Sequence, residues 1–182
     1  MQLSNQLHRD AQPAGDDLLA TLAQTNNFSL GALAANRAGR LAPEQVVALQ
    51  RRAIYRLVFG AVCIVVASLI PILFGSTAGL IVFGSGVVVL IGGIAFFKAY
   101  KTFADSQDGK VEMIEGHVTR HMYTATDTEG ESTTYYYVID KRRFEVSAAA
   151  FQALAEGRRY RLYYAPGSGD LLSIEPAPYV LP

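Results

Sequence analysis

What this chain lacks over the longest stretch is charge. From Leu57 to Phe97 there is no Asp, Glu, Lys or Arg, and Val, Ile, Leu, Phe and Ala dominate. With no ionisable acid or base at that depth, the groups that build ion relays, proton paths and voltage sensors are missing. The chain has one cysteine, Cys63, inside the same run, which excludes a disulfide framework within one molecule and agrees with soluble parts in a reducing compartment. Met1 to Asp10 holds no apolar core of signal-peptide length, so the first apolar segment is the expected, retained targeting element.

An apolar run of that length is a membrane signature. As a single helix it would rise roughly 60 Å, about twice the hydrocarbon thickness, so it is expected to cross once and return. Pro71 and the Phe74-Gly75-Ser76-Thr77 stretch interrupt it near the middle. The expectation is a transmembrane helical hairpin within residues 56–100, with helices Arg56 to Leu73 and Ala78 to Lys98. Arg51, Arg52 and Arg56 precede it, Lys98 and Lys101 follow it, and the turn is uncharged. The positive-inside bias then puts both termini in the cytoplasm.

Small residues recur every seven positions in both helices: Ala61, Ser68 and Gly75 in the first, Gly79, Gly86 and Gly93 in the second. Each set falls on one helix face, which makes them the expected packing seam, since close backbone approach drives helix association in lipid. Gly84 and Gly92 widen the small surface and leave a face for another protomer, so a homo-oligomer or a protein partner is expected.

The formal net charge of +0 hides an uneven distribution: residues 1–102 hold 8 Lys+Arg against 4 Asp+Glu, and residues 103–182 hold 8 against 12. A mildly acidic tail lacks the footprint of a nucleic-acid binder, and the basic residues near Arg51 are placed to meet anionic lipid headgroups. Residues 1–42 are polar at first and expected to be partly disordered, with a short helix capped by Ser29 and ended at Gly39. Pro43 and Glu44 start a juxtamembrane amphipathic helix over 43–55, expected to lie partly in the headgroup layer or to pack on the tail domain.

After Tyr100 a polar linker, Asp105 to Gly109, leads to a β-rich α+β domain over 109–182. The pattern gives strands at Val111–Thr124, Thr133–Asp140 and Arg143–Val146, a helix Ala148–Ala155 capped by Ser147, and strands Arg159–Ala165 and Leu171–Glu175. Three strands, one helix and two strands suit a small partly open barrel of the OB or SH3-like kind.

The domain has few groups arranged for chemistry. His117 and His121, four apart on one strand, stand roughly 13 Å from each other, too far to share a metal ion. Glu115 beside His117 could form an acid/base pair, but alternate positions on an exposed strand often carry such residues. Pro166-Gly167-Ser168-Gly169-Asp170 lacks the Gly-Lys-Ser/Thr ending of a phosphate loop and reads as a hairpin turn. No catalytic residue, metal ligand or cofactor site is therefore assigned. Tyrosine is the excess: 10 in all, concentrated in the tail. Tyr136 and, by alternation, one of Tyr163 or Tyr164, with Arg142 in the Lys141-Arg142-Arg143 cluster, are the candidate interaction surface, and the alternative expectation is that these tyrosines brace the small barrel or sit at the headgroup layer.

The segments Ile114-Glu115-Gly116-His117-Val118, Tyr135-Tyr136-Tyr137-Val138-Ile139 and Tyr163-Tyr164-Ala165-Pro166 resemble those of uncharacterised bacterial membrane proteins in which two spans precede a small β domain. The resemblance implies a bacterial membrane protein and names no activity; the inner membrane is the expected location. The function expected is a non-enzymatic tether that holds a cytoplasmic interaction or scaffolding domain at the bilayer. An accessory subunit of a larger membrane complex is the first alternative, and an enzyme of unrecognised type the second.

Overall fold

A computed structural model describes residues 17–74, 79–127 and 130–178. In chain order the elements are α1 (residues 17–25), α2 (Leu30–Arg37), α3 (Pro43–Phe74), α4 (Gly79–Asp108), β1 (Glu112–His117), β2 (Thr119–Asp127), β3 (Gly130–Ile139), β4 (Arg142–Val146), α5 (Ala148–Ala153), β5 (Arg159–Tyr164) and β6 (Leu171–Pro176). They form two compact units: Pro43–Lys110, and a second built from the chain on both sides of it.

The first unit is a pair of long apolar helices. α3 has 32 residues and α4 has 30, about 48 and 45 Å of helix, and each contains a segment long and apolar enough to cross a membrane. Pro71 does not end α3, because a proline deletes one hydrogen bond of the ladder and need not break it. The expected turn at Gly75, Ser76 and Thr77 lies outside the described residues.

α3 is continuous from Pro43, so the helix that starts there runs on into the apolar segment without a break. Likewise Asp105 to Asp108 are helical, and Asp105 and Ser106 are buried, where a polar linker was expected. Arg56 Nη1 donates to Thr102 Oγ1 at 2.6 Å between the two helices.

The packing seam is rotated from the expected one. Ala53, Gly60 and Ala67 on α3 and Gly92 and Ala99 on α4 are buried, again at seven-residue spacing. Ala61 and Ser68 are exposed, and a Cβ added at Gly86 or Gly93 would meet nothing within 4 Å. Each set is one residue away from the true one, a rotation of about 100° around the helix. Gly75 lies outside the described residues, as do the surroundings of Gly79.

At the crossing, a Cβ on Gly60 would stand 3.0 Å from the Gly92 carbonyl oxygen, and one on Gly92 3.1 Å from that of Gly60. Backbone meets backbone there, so neither position has room for a side chain.

The second unit holds two three-stranded antiparallel sheets, β1-β5-β6 and β2-β3-β4. The single strand expected over Val111–Thr124 divides at Val118, which is buried. Before it, β1 pairs with β5; after it, β2 pairs with β3. Among the described residues no ladder joins β4 to β6, and the barrel is not closed.

β3 and β4 join through Asp140 and Lys141, whose φ values of 52° and 73° match a two-residue turn of type I′. Ser29 and Ser147 cap their helices as expected, accepting from Ala32 N and Ala150 N. Ile114, Leu162 and Ile174 stand in register across one sheet and meet Tyr137, Ile139, Phe144 and Tyr160 in a common core.

Leu22 of α1 belongs to that core, and Leu33 and Asn36 of α2 are buried too. α2 is the short helix expected after Ser29, and α1 at residues 17–25 is a second helix, formed where a loosely held polar segment was expected. Leu22 and Leu33 turn inward, while Asp17, Ala20, Thr21 and Gln24 of α1 and Gly31, Ala34 and Arg37 of α2 face outward.

Gly60→Leu and Gly92→Leu should each lower the stability of the helix pair by about 1–3 kcal/mol, the usual range for overpacking, whereas Gly93→Ala should be neutral. Thermal unfolding of the three variants in one detergent measures this, and equal effects at Gly92 and Gly93 would contradict the seam.

Candidate functional site

The tyrosines expected at the surface are inside. Tyr163 is 4% exposed and Tyr164 3%. Alternation along β5 sends their side chains to opposite faces of the β1-β5-β6 sheet, but both faces are covered. Tyr164 points to the core, where its ring lies 5.4 Å from that of Phe144. On the other face, Tyr163 stands beside Ser173 and Glu175 of β6, the strand that meets α2.

Tyr136 is half-buried in β3, and Arg142 is exposed with its guanidinium 4.6 Å above the Tyr164 ring. Arg142 and Tyr164 do meet, then, but as a brace on the sheet edge and not as an aromatic surface.

The polar cluster under α2 has no counterpart in the sequence motifs. Glu175, only 4% exposed, accepts the Tyr163 hydroxyl at 2.7 Å and the Arg37 Nε at 3.1 and 3.2 Å, and Arg37 Nη2 also reaches it. Next to it Asn36 Nδ2 donates to Ser173 Oγ at 2.7 Å, while Asn36 Oδ1 is buried without a hydrogen-bond partner. Asn-Arg at the end of a short helix and Ser-x-Glu in a strand are too common for sequence to pair them. Burial, followed by the hydrogen bond to Glu175 and its charge, pushes the Tyr163 hydroxyl up to about 12. Burial is likewise the main cause that takes Tyr137 to about 12, its hydroxyl donating to the Ala150 carbonyl.

Glu115 is engaged by arginines and not by His117. Arg161 Nε donates to it at 2.6 Å and Arg159 Nη2 lies 2.9 Å away; the Arg161 hydrogen bond, helped by both charges, holds its carboxyl below the usual range. An ionised carboxylate shared by two guanidiniums is poorly placed to take up a proton near neutrality. His117 ends β1 and His121 lies in β2, on different sheets, and both are exposed.

The exposed feature of this unit is β2. It is an edge strand: β3 occupies one side, and among the described residues no strand pairs with the other. Residues 121–125 are all exposed, and Met122 at 62% and Tyr123 at 67%, adjacent and on opposite faces, are bare. Alternate N–H and C=O groups of such an edge face outward and can accept a further strand. A signal was present in the sequence: a Thr- and aromatic-containing strand without proline or lysine, with large apolar groups on both faces. Arg120 secures its base, with Glu156 at 2.8 Å and the Phe151 ring 5.2 Å away.

Arg37→Ala should destabilise this unit by about 1–3 kcal/mol, below the range for fully enclosed pairs because Arg37 is half exposed, by leaving the Glu175 charge buried; chemical denaturation measures it. The raised tyrosines give a pH window. Folding keeps Tyr137 and Tyr163 protonated to about 12, whereas the unfolded hydroxyls ionise near 10.0. Their stabilising contribution is complete below pH 10 and is lost as the pH rises towards 12. Tyrosinate absorbance and circular dichroism should therefore change together, and Tyr163→Phe should lessen the alkaline loss.

Comparison with protein-family models, curated proteins and solved structures finds no match to this chain.

Proposed function

We propose that this chain is a non-enzymatic bacterial inner-membrane tether: a two-span hairpin holding a small cytoplasmic domain, an OB-like barrel left open between β4 and β6, which captures a protein partner at the β2 edge. The unpaired, two-sided exposure of β2 around Met122 and Tyr123 carries the reading. Strand addition to such an edge is a recurrent mode of peptide capture, in which the backbone ladder supplies affinity and flanking side chains supply selectivity.

Two further observations support the membrane part. The domain is assembled from residues before α3 and after α4, so both flanks share one side of any bilayer and the crossings must be even in number. Arg51, Arg52, Arg56, Lys98 and Lys101 all lie at the ends of the helices nearest that domain in the chain, which favours the cytoplasmic side. Against an enzyme stands the engagement of Glu115 by Arg159 and Arg161.

A second reading, an accessory subunit of a larger membrane complex, is favoured by Gly86 and Gly93. They lie seven apart on α4 with open space above them, as a foreign helix would need.

A photo-crosslinking residue at position 123 should give a discrete protein adduct in cells. The adduct should vanish when Thr124→Pro blocks the edge, and it should be absent with the probe at the exposed position 149. An adduct unaffected by Thr124→Pro would reject capture at β2; adducts only from probes at 86 or 93 would favour the subunit reading.

A further inference from the structure

Within the helix pair, α3 and α4 enclose an apolar groove of about 270 Å³ lined by Ala53, Ile54 and Leu57 on one side and Phe96, Ala99, Tyr100 and Phe103 on the other. Ala53 and Ala99, small and buried, make its floor, and the larger side chains rise as walls. Its position along the helices is the informative point. Leu57 and Phe96 belong to the charge-free run, and Tyr100 and Phe103 lie beyond it, so the groove straddles the level where hydrocarbon gives way to headgroups.

Charge at that level is mostly positive, with Asp105 and Asp108 just past Phe103 as the nearby acids. Between Glu44 and Asp105 the chain has no acid, and Arg51, Arg52, Lys98 and Lys101 lie within one or two turns of the groove residues. None of these four has a carboxylate partner among the described residues. Arg51 instead stacks 5.5 Å over Tyr55, and the Lys101 ammonium stands 4.8 Å over Phe97. A dry slot opening towards unneutralised cations matches a molecule with a hydrocarbon tail and a negative head.

We propose that this groove is a selective site for an anionic phospholipid, whose acyl chain lies between Ile54 and Phe96 and whose phosphate meets the surrounding cations. The proposal rests on the membrane reading above and adds to it a preferred lipid and a place. The cations supply the selectivity, because a zwitterionic headgroup offers them no net charge. The groove supplies the location, because its walls from α3 and α4 flank an acyl chain on two sides.

The chain has no tryptophan, so one introduced indole is a unique reporter. Phe96→Trp places it in the groove wall, and Ile54→Trp does so from α3 should the first variant fold poorly. Phe59→Trp is the control, on the exposed opposite side at the same depth, since Gly60 packs against the Phe96 backbone. The full chain is reconstituted in phosphatidylcholine vesicles containing an equal minor fraction of brominated phosphatidylglycerol or brominated phosphatidylcholine.

Fluorescence at position 96 should be quenched with a preference of about fivefold for the anionic lipid, the size of one cation–headgroup contact. The preference should be weak at position 59, and it should disappear when Arg51, Arg52, Lys98 and Lys101 are all changed to Gln. Equal quenching by the two lipids at position 96, or equal preference at 96 and 59, overturns the groove site while leaving the membrane anchor standing. A preference that survives loss of the four cations also overturns it. Absence of quenching by either lipid at every position overturns both readings.

Discussion

A carboxylate removed from water needs its counter-charge close by, and in this protein the counter-charge for Glu175 comes from the far end of the chain. Arg37 precedes the apolar helices and Glu175 lies beyond them, 138 residues on, yet the two form a bidentate pair sealed by the Tyr163 hydroxyl. The pair cannot by itself pay for bringing those segments together, since desolvating Glu175 takes back much of what the attraction gives. Burial of Leu22 and Leu33, about 1.5–3 kcal/mol for each side chain, supplies the net stabilisation. The pair chooses the register: α2 can slide on an apolar surface, but not past the one position where guanidinium and carboxylate meet. The segments on either side of the hairpin thus become one folding unit, and the hairpin becomes a long excursion from it.

The parts legible in the sequence were those specified locally. Ser29 and Ser147 as caps, Pro43 as a first helical residue, the Asp140-Lys141 turn and the order of strands around α5 each depend on a few neighbouring residues. The two long helices were legible for the opposite reason, since their apolar run is too extended to read any other way. What failed was choice among equivalent patterns. The first apolar segment contains two small-residue heptad series, Ala53-Gly60-Ala67 in α3 and Ala61-Ser68 running on to Gly75 in the sequence, and periodicity ranks them equally. Only the backbone contact of Gly60 with Gly92 selects the first.

The tyrosine surface failed because alternation tells which residues share a face of a strand but not whether that face is covered. β5 has neighbours on both edges and cover on both faces, so neither Tyr163 nor Tyr164 can reach the outside. No local pattern signals that α2 lies over the outer face, because the contacts that place it are long-range. The bend at Val118 was hidden similarly. A strand that leaves one sheet and enters another keeps its alternation through the corner, and only its partners change.

The exposed apolar residues fall into two populations that call for different neighbours. On α3 and α4 they take most outward positions from Ile54 to Leu69 and from Val87 to Phe103, interrupted by Lys98 and Lys101, a belt that water cannot solvate without aggregation. Lipid or other helices must cover it, and since it encircles the pair, no single compact partner would suffice. On the β domain the exposure is confined to a few residues such as Met113, Met122 and Tyr123, on a surface otherwise polar. A bilayer explains the first population and has no bearing on the second. Met122 and Tyr123 also coincide with the strand whose outer hydrogen-bonding edge is vacant among the described residues, so the same place lacks both an apolar neighbour and a backbone partner. A further strand laid along β2 would satisfy both needs at once, which is why the proposal rests on the edge and not on the tyrosine cluster.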